Sequence, residues 1–316
     1  MKNKKIMIIG GTGALGNTLV KTYNRESSIL VFSRDEHKHV RMEREFPNIN
    51  FQIGDVKDKS SILKAINEYK PDIIINTAAL KHVPICEVNP FESVQVNILG
   101  HQNLIECVSL SNHRIESLIF ISTDKACKPI NVYGMSKAIS ERLYVDFANK
   151  QIDIKVVLCR YGNVMESTGS VIPLFKGLLE SGKTTLPVTD TRMTRFLISL
   201  KDSVKLINWA YDHPNSHGAI VVPKLKSIKI TDLVEELSSM YGVEDLKIEN
   251  IGIRPGEKIH EEMVSREESL RAVPYEQYYM ITDKIVNSDP LSLDSSTSLL
   301  SRSEVGSFLS DNGVTA

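Results

Sequence analysis

The sequence predicts an α/β protein built on a doubly wound parallel sheet, with a smaller α/β region after it. Three observations carry that expectation. Short β-rich apolar runs alternate with helix-length stretches through the first half of the chain. Several of those runs are apolar at nearly every position, as strands buried on both faces are. A glycine-rich turn joins the first run to the first helical stretch.

The expected strands are KIMIIG (5–10), SILVFS (28–33), NFQIGD (50–55), DIIINTA (72–78), SLIFIST (117–123) and DIKVVLCR (153–160). Helices are expected over 14–25, 35–45, 59–69, 91–111 and 134–149. Crossovers between parallel strands are right-handed by default. Beyond about residue 165 the pattern loosens. STGSVIPLFKGLLESGK reads as a loop and a helix, and GAIVVP (218–223) as one more strand. SIKITDLVEELSSMYG reads as a strand start, then a helix capped by Thr231 or Asp232. This half is expected to pack over the carboxyl edge of the sheet. From Asn287 the chain is serine-rich and resembles a disordered tail, but Ser301 and Glu304 have capping-box spacing, which predicts a short final helix. The division expected is 1–167 with 196–225 as the large domain, 168–195 with 226–290 as the smaller region, and 291–316 as a tail.

Bulk composition excludes several functions. The 316 residues are 41% hydrophobic and 24% charged, with a net charge of −1. That balance offers no attraction to nucleic acid or to an anionic membrane surface. No apolar run approaches the ~20 residues of a membrane span, and the first apolar run is too short for a signal peptide. Cys86, Cys107, Cys127 and Cys159 lie far apart with no C-x-x-C pair, which suits reduced thiols in a cytoplasmic compartment. Cys86 and Cys127 are read as small buried residues. His82, His101 and His260 form no ligand spacing, so no metal is expected.

GGTGALG follows the first strand and opens a helix. Gly10, Gly13 and Gly16 fit G-x-x-G-x-x-G, and Gly11, Gly13 and Gly16 fit G-x-G-x-x-G. Such glycines permit a tight turn and close backbone approach, and the helix N-terminus presents free N–H groups to a pyrophosphate. Thr12, Ala14 and Leu15 complete this Rossmann-type turn. At the end of the second strand, Ser33 and Arg34 precede Asp35. An arginine there suits the 2′-phosphate of NADP better than the ribose hydroxyl of NAD; a solvated helix-start charge is the ordinary alternative. Asp55 and Val56 end the third strand, where an adenine could lie. Ala78 and Ala79 end the fourth, small enough for the cofactor's close approach.

Tyr133 and Lys137 stand at i and i+4 on the helix after the fifth strand. A lysine ammonium one turn away would favour the phenolate and make Tyr133 a base. Thr123 is placed to share the same substrate oxygen. Asp124 and Lys125 follow directly. Adjacent opposite charges are usually a solvated pair, but these end an apolar strand.

GGTGALG, FSRDE, IGDVKD, AALKHVPICEVNP, STDKACKPINVYGMSK, RYGNV, TDTRMTRF and GIRPGEKIHE occur in one order across roughly residues 6–262. With them the chain resembles the extended short-chain dehydrogenase/reductase superfamily, and within it the C5-inverting UDP-N-acetylglucosamine 4,6-dehydratases. The related dTDP-glucose dehydratases carry aspartate-glutamate where this chain has Asp124-Lys125. The resemblance implies a redox-neutral lyase with tightly bound, recycled NADP. Tyr133, aided by Lys137 and Thr123, takes the C4 hydroxyl proton as hydride leaves C4. Lys125 removes the C5 proton, Asp124 protonates the departing C6 hydroxyl, and hydride returns to C6. The implied product is UDP-2-acetamido-2,6-dideoxy-β-L-arabino-hexos-4-ulose. A C5-retaining dehydratase, a UDP-sugar 4-epimerase and a non-catalytic NADP-binding regulator are the competing readings.

The resemblance also implies substrate contacts. Arg254 and Glu257 would hold the diphosphate and uridine ribose, and Lys81, Asn163 and Arg195 are further candidates. Arg160 and Asn97 are read as structural. Thr168 replaces the arginine usual in relatives. Relatives form homo-oligomers, and some carry N-terminal spans; this chain, opening at the nucleotide turn, is expected to be soluble. The chemistry demands that Lys125 fall from ~10.4 towards ~7–8 and that the Asp124 carboxyl rise. Both can reach one sugar only if the strand ends at Thr123, because successive strand side chains face opposite ways.

Overall fold

The structure is a computed structural model describing residues 1–165, 167, 169–288 and 292–316. Thr168, the expected departure from relatives, lies outside the described residues. In chain order the first half is β1 (Lys5–Ile9), α1 (Ala14–Tyr23), β2 (Ser28–Ser33), α2 (Glu36–Glu45), β3 (Asn50–Ile53), α3 (Lys59–Tyr69), β4 (Ile73–Asn76), α4 (Val83–Val88), α5 (Pro90–Ser93), a π-helical segment (Val94–Leu99), α6 (Gly100–Leu110), β5 (Ser117–Thr123), a 3₁₀ turn (Asp124–Ala126), α7 (Val132–Lys150) and β6 (Lys155–Tyr161). The second half holds β7 (Asn163–Val164), α8 (Val171–Glu180), β8 (Thr185–Val188), β9 (Thr194–Ile198), α9 (Leu200–Asp212), β10 (Ile220–Pro223), β11 (Ser227–Lys229) and α10 (Ile230–Met240). It ends with β12 (Lys247–Asn250), β13 (Glu262–Val264), α11 (Arg266–Ser269), β14 (Ala272–Pro274), β15 (Tyr278–Ile281), β16 (Leu293–Asp294) and α12 (Arg302–Asp311).

Nine strands form the main sheet in the order β14-β15-β10-β6-β5-β4-β1-β2-β3. From β3 to β10 every pairing is parallel, and the order reverses between β1 and β4. A crevice opens at the carboxyl ends of strands where order reverses, so the fold places a ligand site there. The continuous apolar runs explain the central strands: every residue of β4 and of β5 is buried. A second apolar core lies outside this sheet, built by Ile172, Phe175, Leu186, Leu197, Leu233, Leu237 and Leu309 among others.

Each predicted strand and helix of the first half is present. The 91–111 stretch is interrupted by its π-helical segment, which carries the buried Asn97. Asn97 accepts from the Leu80 amide and donates to the Leu80 carbonyl and Ser136 Oγ. The extra backbone room of a π-turn lets this side chain tie α7 to the end of β4. The final helix forms with the Ser301–Glu304 capping box.

One expectation fails on geometry. Neither Thr231 nor Asp232 caps α10: Lys229 is its N-cap, because β11 runs straight into the helix. Asp232 sits instead in the first turn, where a negative charge meets the helix dipole. The strands β7, β8, β9 and β12–β16 are not among those expected: they lie in the loosened second half, without the regular strand–helix alternation that marks strands of similar length in the first half. Two of them, β14 and β15, pair antiparallel onto the edge of the main sheet.

Arg160 in β6 joins the parts. It is buried, bidentate to Glu141 of α7 at 2.9 and 2.7 Å and to Glu268 of α11 at 2.8 Å, and it also donates to the Met263 carbonyl. Arg160→Ala would leave two buried carboxylates without a counter-charge, a cost of about 3–5 kcal/mol. A large drop in the denaturant midpoint at unchanged pH is the expected result, measured by circular dichroism.

Candidate active site

At the nucleotide end, β1 stops because Gly10 turns to φ 74°. A Cβ there would lie 2.8 Å from the Ala78 amide nitrogen, and one on Gly16 would lie 2.4 Å from Gly11 Cα. These two positions therefore exclude any side chain. Gly13 is the N-cap of α1 and supplies no side-chain cap, so the first-turn N–H groups face outward for a ligand. Thr12 Oγ1 bonds Ser33 Oγ, which bonds His39 Nε2, linking the turn to the end of β2. Leu15 is buried beneath it. Arg34 is exposed and stands 3.5 Å from Asp55. Asp35 is committed elsewhere: it caps α2 by accepting from the Lys38 amide. Val56 packs under Gly100, and its carbonyl accepts from Asn103. The Ala78 amide donates to Asn76 Oδ1 and its carbonyl bonds His101 Nε2, while Ala79 is half-buried beside it.

At the chemical end, β5 finishes at Thr123 and the 3₁₀ turn begins at Asp124. Asp124 and Lys125 therefore both lie in the turn, past the strand alternation that would have separated them. Thr123 Oγ1 donates to Asp124 Oδ1 at 3.0 Å. Lys125 Nζ donates to the same oxygen at 3.1 Å and to Asn163 Oδ1 at 3.0 Å, and lies 3.5 Å from Glu261 Oε1. Asp124 is fully buried, and its Oδ2 has no hydrogen-bond partner. α7 closes over the turn: a Cβ on Gly134 would lie 2.2 Å from the Lys125 carbonyl oxygen. The helix start is held by Asn131, which accepts from Gly134 and donates to the Gly256 carbonyl.

The electrostatics differ from the demands read off the sequence. Burial raises the Asp124 carboxyl, the direction a proton donor needs. Lys125 moves the other way from expectation. Burial alone would lower it, but the Asp124 and Glu261 carboxylates outweigh burial and hold it as an ammonium. Tyr133 is likewise pushed up to about 12 by burial, with Lys125 and Thr123 pulling against it. Lys137 is held from behind, one turn along α7. Its amine donates to the Ile121 carbonyl at 2.6 Å and lies 3.9 Å from the Phe120 ring centroid. Burial lowers it to about 7, with Glu141 opposing.

The other candidates divide. Asn163 serves Lys125 directly. Arg195 is buried and spends its guanidinium on the Thr194, Lys258 and Ile259 carbonyls, which commits it to the backbone. Lys81 feels the Lys125 charge, which with burial lowers it. Arg254 lies on the surface, 3.8 Å from Glu257. Their loop is fastened to the site through Gly256 and through Lys258, which donates to the Cys127 carbonyl. Cys86 and Cys127 are buried free thiols. Glu261 had no assigned role on sequence; its signal was only the charge run EKIHEE. Among the described residues no helix is long and apolar enough to cross a membrane, and no group of three or more potential metal ligands forms.

A glycine turn beneath a bare helix N-terminus, with Thr-Asp-Lys and Tyr-x-x-x-Lys gathered at the next strand ends, defines a nucleotide-sugar enzyme class within the short-chain dehydrogenase/reductase fold. The chain belongs to the polysaccharide biosynthesis protein family, whose model matches residues 6–283. It is 43% identical over 295 residues to the inverting UDP-N-acetylglucosamine 4,6-dehydratase of Campylobacter jejuni serotype O:2, covering 90% of this chain and 85% of that protein. It is 39% identical to the UDP-glucose 4-epimerase of Rickettsia canadensis, covering 88% and 83%. The X-ray structure of Pen from Bacillus thuringiensis superposes with a TM-score of 0.91 at 31% identity, covering 99% of both chains.

Lys137 makes a testable contribution to pH dependence. Its folded value lies near 7 against an ordinary 10.5, so between those values the unfolded chain holds more protons at this site. Its contribution to stability therefore rises with pH across that window and is lowest below pH 7. Unfolding free energies of the wild type and Lys137→Met, compared from pH 7 to 10, should show the wild type gaining relative to the variant.

Proposed function

We propose that the chain is a UDP-N-acetylglucosamine 4,6-dehydratase that inverts C5, using recycled NADP. The observation that carries this reading is the buried Asp124 with an idle Oδ2, bonded to Lys125 where β5 ends. The names of the Campylobacter relatives support it. The nucleotide end fits a nicotinamide dinucleotide: Gly10 and Gly16 leave no room for a Cβ, and the α1 N-terminus is uncapped. Arg34 is exposed for a 2′-phosphate, while Asp35 is occupied as a helix cap. The dinucleotide, when bound, supplies a hydride acceptor for the sugar's C4 and a hydride donor for C6.

The protein's part is proton handling. Tyr133, once in its phenolate form beside Thr123, takes the proton of the C4 hydroxyl. Lys125 as a free amine takes the C5 proton, and Asp124 gives its own proton to the departing C6 hydroxyl. Lys125 is then an ammonium and Asp124 a carboxylate, the ion pair at 3.1 Å. As hydride reaches C6, C5 takes a proton back on the opposite face, from Lys125 or Tyr133, and that return inverts the centre. Lys81, Arg254 and Glu257 face the UDP moiety, with Asn163 acting through Lys125. In this division 1–167 with 196–225 hold the dinucleotide, and 168–195 with 226–290 hold the UDP-sugar. Homo-oligomers in the cytoplasm complete the proposal.

A UDP-sugar 4-epimerase is the second reading, favoured by the names of the rickettsial relatives. It leaves the protonated Asp124 without a task. Incubation with UDP-N-acetylglucosamine in heavy water, without added reductant, separates these by proton NMR. A C6 methyl and a 4-keto sugar with inverted C5 are expected. Unchanged substrate would sink the proposal, retained C5 would select a retaining dehydratase, and a C4 epimer without a methyl would select the epimerase. Lys125→Ala should lower dehydration by about a hundredfold or more while dinucleotide binding, followed by fluorescence titration, stays within about twofold.

A further inference from the structure

Lys125 meets a second carboxylate that the chemistry above leaves unused. Glu261 is buried, and its backbone is fixed to Ser295, which accepts from the Glu261 amide at 2.9 Å and donates to its carbonyl at 2.8 Å. Ser295 Oγ in turn bonds Thr194 Oγ1 at 2.6 Å. The side chain so placed puts Oε1 3.5 Å from Lys125 Nζ. Its Oε2 is buried with no hydrogen-bond partner; Lys258 Nζ stands 3.9 Å away. An unpaired buried acceptor costs about 1–3 kcal/mol.

The charged and titratable neighbours are few. Asp124, Glu261, Arg195, Tyr133 and Lys81 act on Lys125, and Lys125, Arg195, Lys258 and Asp124 act on Glu261. Of these, only Asp124 and Glu261 bear carboxylates towards the Lys125 amine, and Asp124 must enter the reaction protonated. Resting on the dehydratase reading, we propose that Glu261 is a positioning residue for Lys125: its carboxylate fixes the ammonium and sets the strength with which the amine takes the C5 proton. As that proton moves, the C5–H bond breaks, an N–H bond forms and Lys125 goes from neutral to positive. A carboxylate already in place stabilises that developing charge without reorganisation. The same carboxylate lowers the fraction of free amine near neutral pH. Glu261 thus exchanges a small reactive fraction for a stronger base.

Glu261→Gln keeps the shape and removes the charge. The pH profile of dehydration should rise at a pH lower by about one unit or more, with its high-pH plateau reduced about tenfold and KM little changed. Glu261→Asp keeps a carboxylate and should recover part of both effects. A purely structural role would lower the plateau without moving the limb, and that result in a folded variant overturns the proposal. A second readout does not depend on turnover: pH-dependent acetylation of the wild type and both variants, read at the Lys125 peptide by mass spectrometry. The pH of half-labelling should fall in Glu261→Gln and fall by less in Glu261→Asp, which carries the test if the glutamine variant fails to fold. An unmoved Lys125 midpoint in a folded variant rejects the coupling even if the wild type proves not to be a dehydratase. Absent turnover with a moved midpoint rejects the dehydratase reading and retains the coupling.

Discussion

The guanidinium of Arg160 is the constraint to which the rest of the structure answers. A buried cation is tolerated only with its donors filled, and here two carboxylates and one carbonyl fill them. Those partners come from α7, which carries Tyr133 and Lys137, and from the 263–268 segment just beyond Glu261. Ser122, next to Thr123 in β5, donates to Glu141 at 2.6 Å and joins the same network. One side chain therefore fixes the helix with Tyr133, the strand end with Asp124 and Lys125, and the segment carrying Glu261. Apolar residues of equal volume could hold such parts together, but they would not set the angle between them as a planar, five-donor fork does.

Around that frame the site is a small, dry charge cluster. Burial raises Asp124 towards its protonated form, whereas Glu261 is lowered: burial opposes this, but Lys125, Arg195 and Lys258 outweigh it. Two carboxylates facing one lysine are thus pushed apart by their surroundings, the usual way one site divides acid and base work. Phe120 and Tyr144 support the neighbouring lysine: their rings stack at 4.3 Å, and Lys137 lies over Phe120. Lys137 is consequently anchored by aromatic packing and by its hydrogen bond to the Ile121 carbonyl.

Much of this was legible in the residues. The glycine turn could be placed because a backbone that must approach a pyrophosphate admits no side chain, and strand burial leaves an unbroken apolar run. The pair Asp124-Lys125 could be singled out because charge at the end of such a run needs a reason. The protonation states could not be read. Lys125 looks identical in sequence whether it meets one carboxylate or two, and Glu261 arrives from 136 residues further along. Arg195 and Asn163 looked like ligand contacts, since nothing local shows that their donors and acceptors are filled by distant backbone and by Lys125.

By itself the sequence determined the order of strands and helices in the first half, the nucleotide turn, the family and the residues singled out as candidates, Asp124, Lys125 and Tyr133. These follow from local periodicity and from residues that act through neighbours within one turn. Only the tertiary structure decided which groups surround Lys125, that Lys137 turns its amine to Ile121, and that β14 and β15 return to the main sheet. Each depends on contacts between residues far apart in the chain, and burial there changes the free energy of a charge by more than any local pattern records.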